Sequence, residues 1–179
     1  MTLPFSMGAA KPAPKPVVER AQLVVFRVGD QRYAADVFSV ERVLRYSAPR
    51  AIPNVPAWLE GVIEYAGHAV PVIDLRARFD LPAAVDRSAA RILVFIVGGE
   101  ESSARAYIAA AVDGVDEVTT VEKTALEDPP AVFRGLARQY LNALVRLGGT
   151  VIVVLDVAQL LNSRERIVLD QAMAETTNG

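Results

Sequence analysis

The sequence predicts an all-β fold with short helices, arranged as two small barrels packed together. Three observations carry this. First, the 179 residues are 52% apolar and 22% charged, and the apolar residues fall in strand-sized runs such as Ile92 to Val97 and Val151 to Leu155. Second, Gly, Pro, Asn and Asp punctuate those runs at hairpin spacing. Third, the chain repeats itself. Trp58 to Phe79 and Tyr140 to Leu161 align at an offset of 82, where Leu59, Gly67, Val72 and Asp74 meet Leu141, Gly149, Val154 and Asp156. Chance gives roughly one or two identities in such a window, and here the turn glycine and the aspartate before the helix both coincide.

In chain order, residues 1–20 hold Pro4, Pro12, Pro14 and Pro16 and no signal-peptide apolar core, so a flexible leader is expected. Leu23 to Val28 and Arg32 to Ala35 flank Gly29-Asp30 and read as a hairpin. Val37, Val40, Val43 and Leu44 fall at i, i+3, i+6 and i+7, which predicts a short amphipathic helix capped by Asp36. Tyr46 to Ile52 is a candidate strand, ended by Pro53, Asn54 and Pro56. Val62 to Tyr65 and Ala69 to Ile73 form the next hairpin, and Asp74 stands as N-cap of a helix through Phe79. Pro71 inside that run needs an edge or a bulge.

Leu81 to Ala90 is a connector, and the second copy begins near 91. Ile92 to Val97 and Tyr107 to Val112 are strands. Val112, Val115 and Val118 echo Val37, Val40 and Val43 at an offset of 75, while Phe26 and Phe95 match at 69. The drift from 69 to 82 places insertions in loops. Ala131 to Gln139 reads as a helix, and Trp58 and Tyr140 as core residues at the base of equivalent hairpins. The expected layout is a leader (1–20), a paired-barrel domain (21–161) and a tail (162–179) with one helical turn near Arg166 to Gln171 before it frays.

Composition narrows function. The net charge of −2 exerts no general pull on nucleic acid or anionic membrane. The absence of cysteine excludes disulfides and thiolate chemistry. No apolar run approaches the roughly 18–20 residues of a spanning helix, so direct membrane insertion is not expected. No catalytic residue, metal site or cofactor is expected either. Asp74 and Asp156 read as N-caps, His68 as a turn residue, and Asp113, Asp116 and Glu117 as a solvated face that lacks the spacing of a calcium loop. Gly98-Gly99 and Gly148-Gly149 are turns without the Lys-Ser/Thr of a phosphate cradle.

Four separated motifs resemble the CheW-like family. Gly61-Val62-Ile63, Gly67 and Val70-Pro71-Val72-Ile73-Asp74-Leu75-Arg76 with Phe79 look like its signature hairpin. Leu23 to Asp30 with Tyr33 resembles its opening hairpin. Val112-Asp113-Gly114-Val115-Asp116-Glu117-Val118 is similar to its mid-chain motif, and Asp156 through Asn162 to its closing segment. The resemblance implies two SH3-like five-stranded barrels around a shared apolar seam. It implies a cytoplasmic adaptor, recruited to membrane-associated receptor arrays, that couples chemoreceptors to the histidine kinase CheA. The receptor's helical tip would dock between the barrels, near Val40, Val43, Gly61 and Val62, and the kinase's regulatory domain would contact the region of Phe133 and Arg134.

Two departures bear on partner choice. Glu64-Tyr65-Ala66-Gly67 stands where the family has Asn-Leu-Arg-Gly, and Arg42 stands where it often has an acid. If those two family positions pair, both partners have changed together, which costs less than losing one. The rival readings are a coupling protein of a non-flagellar pathway and, from another class, a small-barrel nucleic-acid-binding module. The −2 charge and the lack of an aromatic–basic stripe count against the second.

Overall fold

The structure is a computed structural model that describes residues 10–98, 105–132 and 136–177. Among the described residues ten strands follow one another: β1 (Arg20–Val28), β2 (Gln31–Asp36), β3 (Val40–Arg45), β4 (Leu59–Tyr65), β5 (His68–Asp74), β6 (Arg91–Val97), β7 (Ala106–Val112), β8 (Gly114–Glu122), β9 (Leu141–Leu147) and β10 (Thr150–Leu155). Three α-helices accompany them: α1 (Leu75–Arg78), α2 (Leu136–Tyr140) and α3 (Ser163–Thr177). The strands form two five-stranded sheets, ordered β8-β1-β2-β10-β9 and β3-β6-β7-β5-β4. Both are SH3-like open barrels.

The two orders are the same order shifted by five strands, so the internal repeat is a repeat of topology. The ladders fix it residue by residue. Val40 and Val43 pair with Phe95 and Leu93 on either side of a bulge, as Val115 and Val118 pair with Phe26 and Val24. Leu59 faces Ile73 as Leu141 faces Leu155. The ends of each sheet meet at one backbone bridge: Arg50 with Val62, and Glu127 with Leu144. The copies exchange strands. β1 and β2 of the first copy join β8, β9 and β10 of the second, while β6 and β7 join β3, β4 and β5. Residue 91 therefore opens the second copy without separating the two sheets.

Alternation along the strands explains the near-continuous apolar runs, because both faces are buried. Leu23, Val25, Ile152 and Val154 fill the first barrel. Val70, Val72, Ile92, Val94, Ala109 and Ala111 fill the second. The opposite faces of the same strands, with Phe26, Val28, Ile73, Leu93, Phe95, Val97, Ile108 and Ala110, meet in one cluster between the barrels. This seam is the largest of the three clusters, and it makes one body of two barrels that are small on their own.

Four local expectations need correction. The segment predicted as a helix from Val37 is a single 3-10 turn, Val37–Ser39, followed by strand β3. The bulge at Glu41 puts Val40 and Val43 on one face three residues apart, which imitates helical spacing. Tyr46 to Ile52 is not a strand, although Arg50 contributes the closing bridge. Of the helix expected over Ala131 to Gln139, residues 131 and 132 form a turn and the helix is described from Leu136. The tail carries a fifteen-residue helix, α3, not one turn.

Pro71 lies in an interior strand, yet breaks no ladder bond. Val62, its β4 partner, turns its amide and carbonyl to Arg50, so the Pro71 nitrogen faces β7, and β5–β7 pairing starts only at Val72.

Candidate partner-binding site

The four residues predicted to border a docking groove sit at the two ends of the second sheet. Val40 and Val43 lie on β3, and Gly61 and Val62 on β4. Val40 and Val62 are half-buried against the seam cluster. Val43 is 42% exposed, and its copy-equivalent Val118 is 60% exposed. The valines thus form an apolar rim to the seam. The 75-residue echo was the signal that pairs Val115 and Val118 with Val40 and Val43.

Gly61 has another task. It is buried at φ +148°, and a Cβ there would run into the carbonyl of Arg50. The Arg50–Val62 bridge, with N–O distances of 2.8 and 2.9 Å, needs a residue without a side chain at that point. Gly61 therefore shapes the rim but presents no side chain to a partner.

Charged residues brace the loops around this rim. Arg87, from the connector, donates to Asp74 Oδ2 at 2.9 Å and to Tyr46 Oη at 2.5 Å, and it pairs with Glu60. Its guanidinium stacks 4.7 Å from the Tyr46 ring centre. Burial, together with its hydrogen bond to Glu60, pushes the Tyr46 hydroxyl above its ordinary pKa. Asp74 Oδ1 accepts from the Arg76 amide at 2.9 Å, as Asp156 Oδ1 accepts from Ala158 at 3.1 Å, so each caps its own turn. Asp113, Asp116 and Glu117 are not simply solvated: they pair with Arg76, with Arg27 and Arg32, and with Arg32.

α3 is held by Arg78. Its fork pairs with both oxygens of Glu165 at 2.9 and 2.8 Å, and its plane lies 4.0 Å from the Trp58 ring centre and 5.3 Å from that of Tyr140. Asn162 and Glu165 exchange 2.8 Å bonds with each other's amides, a capping box. Phe133 and Arg134, predicted as the kinase contact, lie outside the described residues. His68, expected in the turn, is instead the first residue of β5, paired with Tyr65 across the hairpin; it is exposed and packs beside Tyr107, ring centres 5.6 Å apart. Among the described residues no group of three or more His, Asp or Glu is placed to hold a metal ion, and no helix is long and apolar enough to cross a membrane.

Comparison with known proteins decides the family. The model of the CheW-like domain matches residues 22–165, which takes in both barrels and the start of α3. The chain belongs to the CheW-like family. It is 31% identical to the chemotaxis protein CheW of Treponema pallidum over 148 residues, 82% of this chain and 85% of that protein. It is 27% identical to CheW of Klebsiella aerogenes, covering 83% of this chain and 86% of that one. Protein FrzA of Myxococcus xanthus is 28% identical, over 80% of this chain and 87% of its own length. In fold the chain is similar to the scaffolding protein CheW of Thermoanaerobacter tengcongensis, with a TM-score of 0.71 at 24% identity, over 81% of this chain and 94% of that one.

The CheW-like fold is therefore intact here despite the altered hairpin at Glu64 to Gly67. Ala66 occupies the position where the family has Arg and takes φ +51° in the β4–β5 turn. It is exposed, so the change removes a side chain from the surface and leaves the barrel interior untouched.

Proposed function

We propose that the chain is a non-catalytic adaptor that couples the cytoplasmic tip of methyl-accepting chemotaxis receptors to the histidine kinase CheA. The observation that carries this reading is the match to the CheW-like domain across both barrels and the seam. The protein works in the cytoplasm and is recruited to receptor arrays. Val40, Val43, Gly61 and Val62 border the receptor groove, and Phe133 with Arg134 meet the kinase's regulatory domain. Apolar rim residues give affinity and the flanking charges fix orientation. Signal passes because the contact differs in affinity between two kinase states, since equal affinity for both would transmit nothing. Similarity to FrzA, a relative that does not carry the CheW name, supports as second reading a CheW-like coupling protein of a non-flagellar pathway.

Calorimetric titration of the purified chain with the regulatory domain of the kinase from its own organism tests the reading. Saturable binding that Phe133→Ala weakens about tenfold is the expected result. Binding indifferent to that substitution keeps the adaptor and moves its kinase contact elsewhere. A chain that binds neither the kinase domain nor a receptor tip is not this adaptor.

A further inference from the structure

The two copies match strand for strand but not junction for junction. One junction, built where β1 of the first copy enters its hairpin and α1 begins and where β7 of the second copy turns into β8, is shut. Asp113 accepts from the Gly29 amide at 2.6 Å and from Arg76 Nε at 2.9 Å, and its own amide donates to the Arg27 carbonyl at 2.9 Å. At the offsets that the ladders fix, the second junction has Gly98 for Gly29, Ile96 for Arg27, Phe38 for Asp113 and Ala158 for Arg76. The ion pair has no counterpart. A cavity of about 460 Å³ stands there instead, with Asp36, Ser39, Gly98, Asn142, Asp156 and Ala158 on its walls. Phe38 is turned outward and is 83% exposed.

Two carboxylates face this cavity. Each commits one oxygen to a cap: Asp36 Oδ1 accepts from the Phe38 amide at 2.8 Å, and Asp156 Oδ1 from the Ala158 amide at 3.1 Å. Neither takes part in an ion pair among the described residues. Arg166 also lines the cavity, but its guanidinium donates to the carbonyls of Ala158 and Leu161, at 2.6 and 3.2 Å. One junction is thus closed by the Arg76–Asp113 pair, whereas at the other the guanidinium present, that of Arg166, is spent on backbone carbonyls and leaves Asp36 and Asp156 without a cation among the described residues. Phe38 and Ser39 belong to the 3-10 turn that runs into β3, so the exposed Phe38 ring and the cavity wall at Ser39 both adjoin, along the chain, the rim valines Val40 and Val43.

We infer that the open second junction receives an arginine from a partner helix, in the place that Arg76 fills in the first copy, while Phe38 packs on that helix's aliphatic face. The inference rests on the adaptor reading and assigns the helix to the receptor tip. A guanidinium suits the site better than an ammonium, because it presents several donors in one fixed plane to acceptors spread over the cavity wall. The free oxygens of the Asp36 and Asp156 carboxylates supply the charge complementarity that sets register, and Phe38 the buried anchor that supplies affinity.

The test is titration of the full chain with a receptor-tip fragment, with the kinase regulatory domain as control. Three variants are compared. Phe38→Asp combined with Ala158→Arg rebuilds the closed junction there; Phe38→Ser removes the anchor; Asp36→Asn keeps the cap acceptor and removes the charge. Expected are loss of receptor-tip binding by about tenfold or more in the first two and about threefold in the third, with kinase-domain binding unchanged and thermal melting no lower than wild type in the closing variant. Receptor-tip binding unaltered in Phe38→Ser and Asp36→Asn overturns the inference and leaves the adaptor reading standing. Loss in Phe38→Ser alone reduces the site to an apolar patch and overturns the arginine. A wild-type chain that binds the kinase domain but no receptor tip overturns the inference by itself, whereas binding to neither sinks the adaptor reading with it.

Discussion

At the scale of single residues, the positions that matter most are those where the backbone leaves no room. Gly61 at φ +148° lies against the Arg50 carbonyl, beside the Arg50–Val62 bridge where the two ends of the second sheet meet. Gly61→Ala is expected to cost about 3 kcal/mol, since it combines a conformation that L-residues avoid with a backbone collision. Gly149→Ala, at φ +80° with open space around the added carbon, is expected to cost only about 1 kcal/mol. Urea denaturation of the two variants separates the readings, and equal losses would mean that the bridge to Arg50 contributes nothing of its own. Gly61 was legible from sequence as a motif residue, but its role was not. Arg50 lies eleven positions away in a segment read as a strand, and only the curl of the sheet brings its carbonyl to Gly61.

At the scale of elements, α3 depends on one clamp as much as on its own packing. Leu169 is buried, while Ile167 and Val168 are 58% and 54% exposed, so the helix has a narrow apolar face. The Arg78–Glu165 pair is largely desolvated, with side chains 7% and 23% exposed. Arg78→Lys keeps the charge but loses both the fork and the stacking on Trp58. It is expected to cost up to about 3 kcal/mol, most of it felt by α3. Hydrogen exchange measures this directly: α3 amides should exchange faster while those of β6 and β7 hold their protection. Uniform acceleration across the chain would instead make Arg78 part of the global core. The start of α3 was missed although Asn162-x-x-Glu165 carries the spacing of a capping box, the signal that could have placed it. Its length was hidden because a helix this exposed shows little hydrophobic periodicity.

At the scale of the whole molecule, strand exchange and the seam make the chain one cooperative unit. Each copy leaves two strands in one sheet and three in the other, so neither copy owns a complete barrel. A chain cut in the exposed connector, at Val85, is therefore expected to give two fragments that are unstructured alone. Mixed or co-expressed, they should reassemble into a species with the circular dichroism and single melting transition of the intact protein. A first-half fragment that folds by itself would show that the repeat, not the sheet, is the unit of stability.

The sequence by itself determined the all-β class, the repeat with its drifting offset, the aspartate caps and the turn glycines, because these follow from local spacing and backbone geometry. It also carried the four motifs that mark the CheW-like family. The tertiary structure decided which strands share a sheet, since β-pairing is non-local and either copy's strands satisfy the same apolar pattern. It decided that the valine spacing after Asp36 belongs to a bulged strand, because a bulge and a helix both return side chains to one face after three residues. And it decided that one junction is filled by Arg76 and Asp113 while the other, at Phe38 and Ala158, stays open. That difference depends on bringing together four segments far apart in the chain.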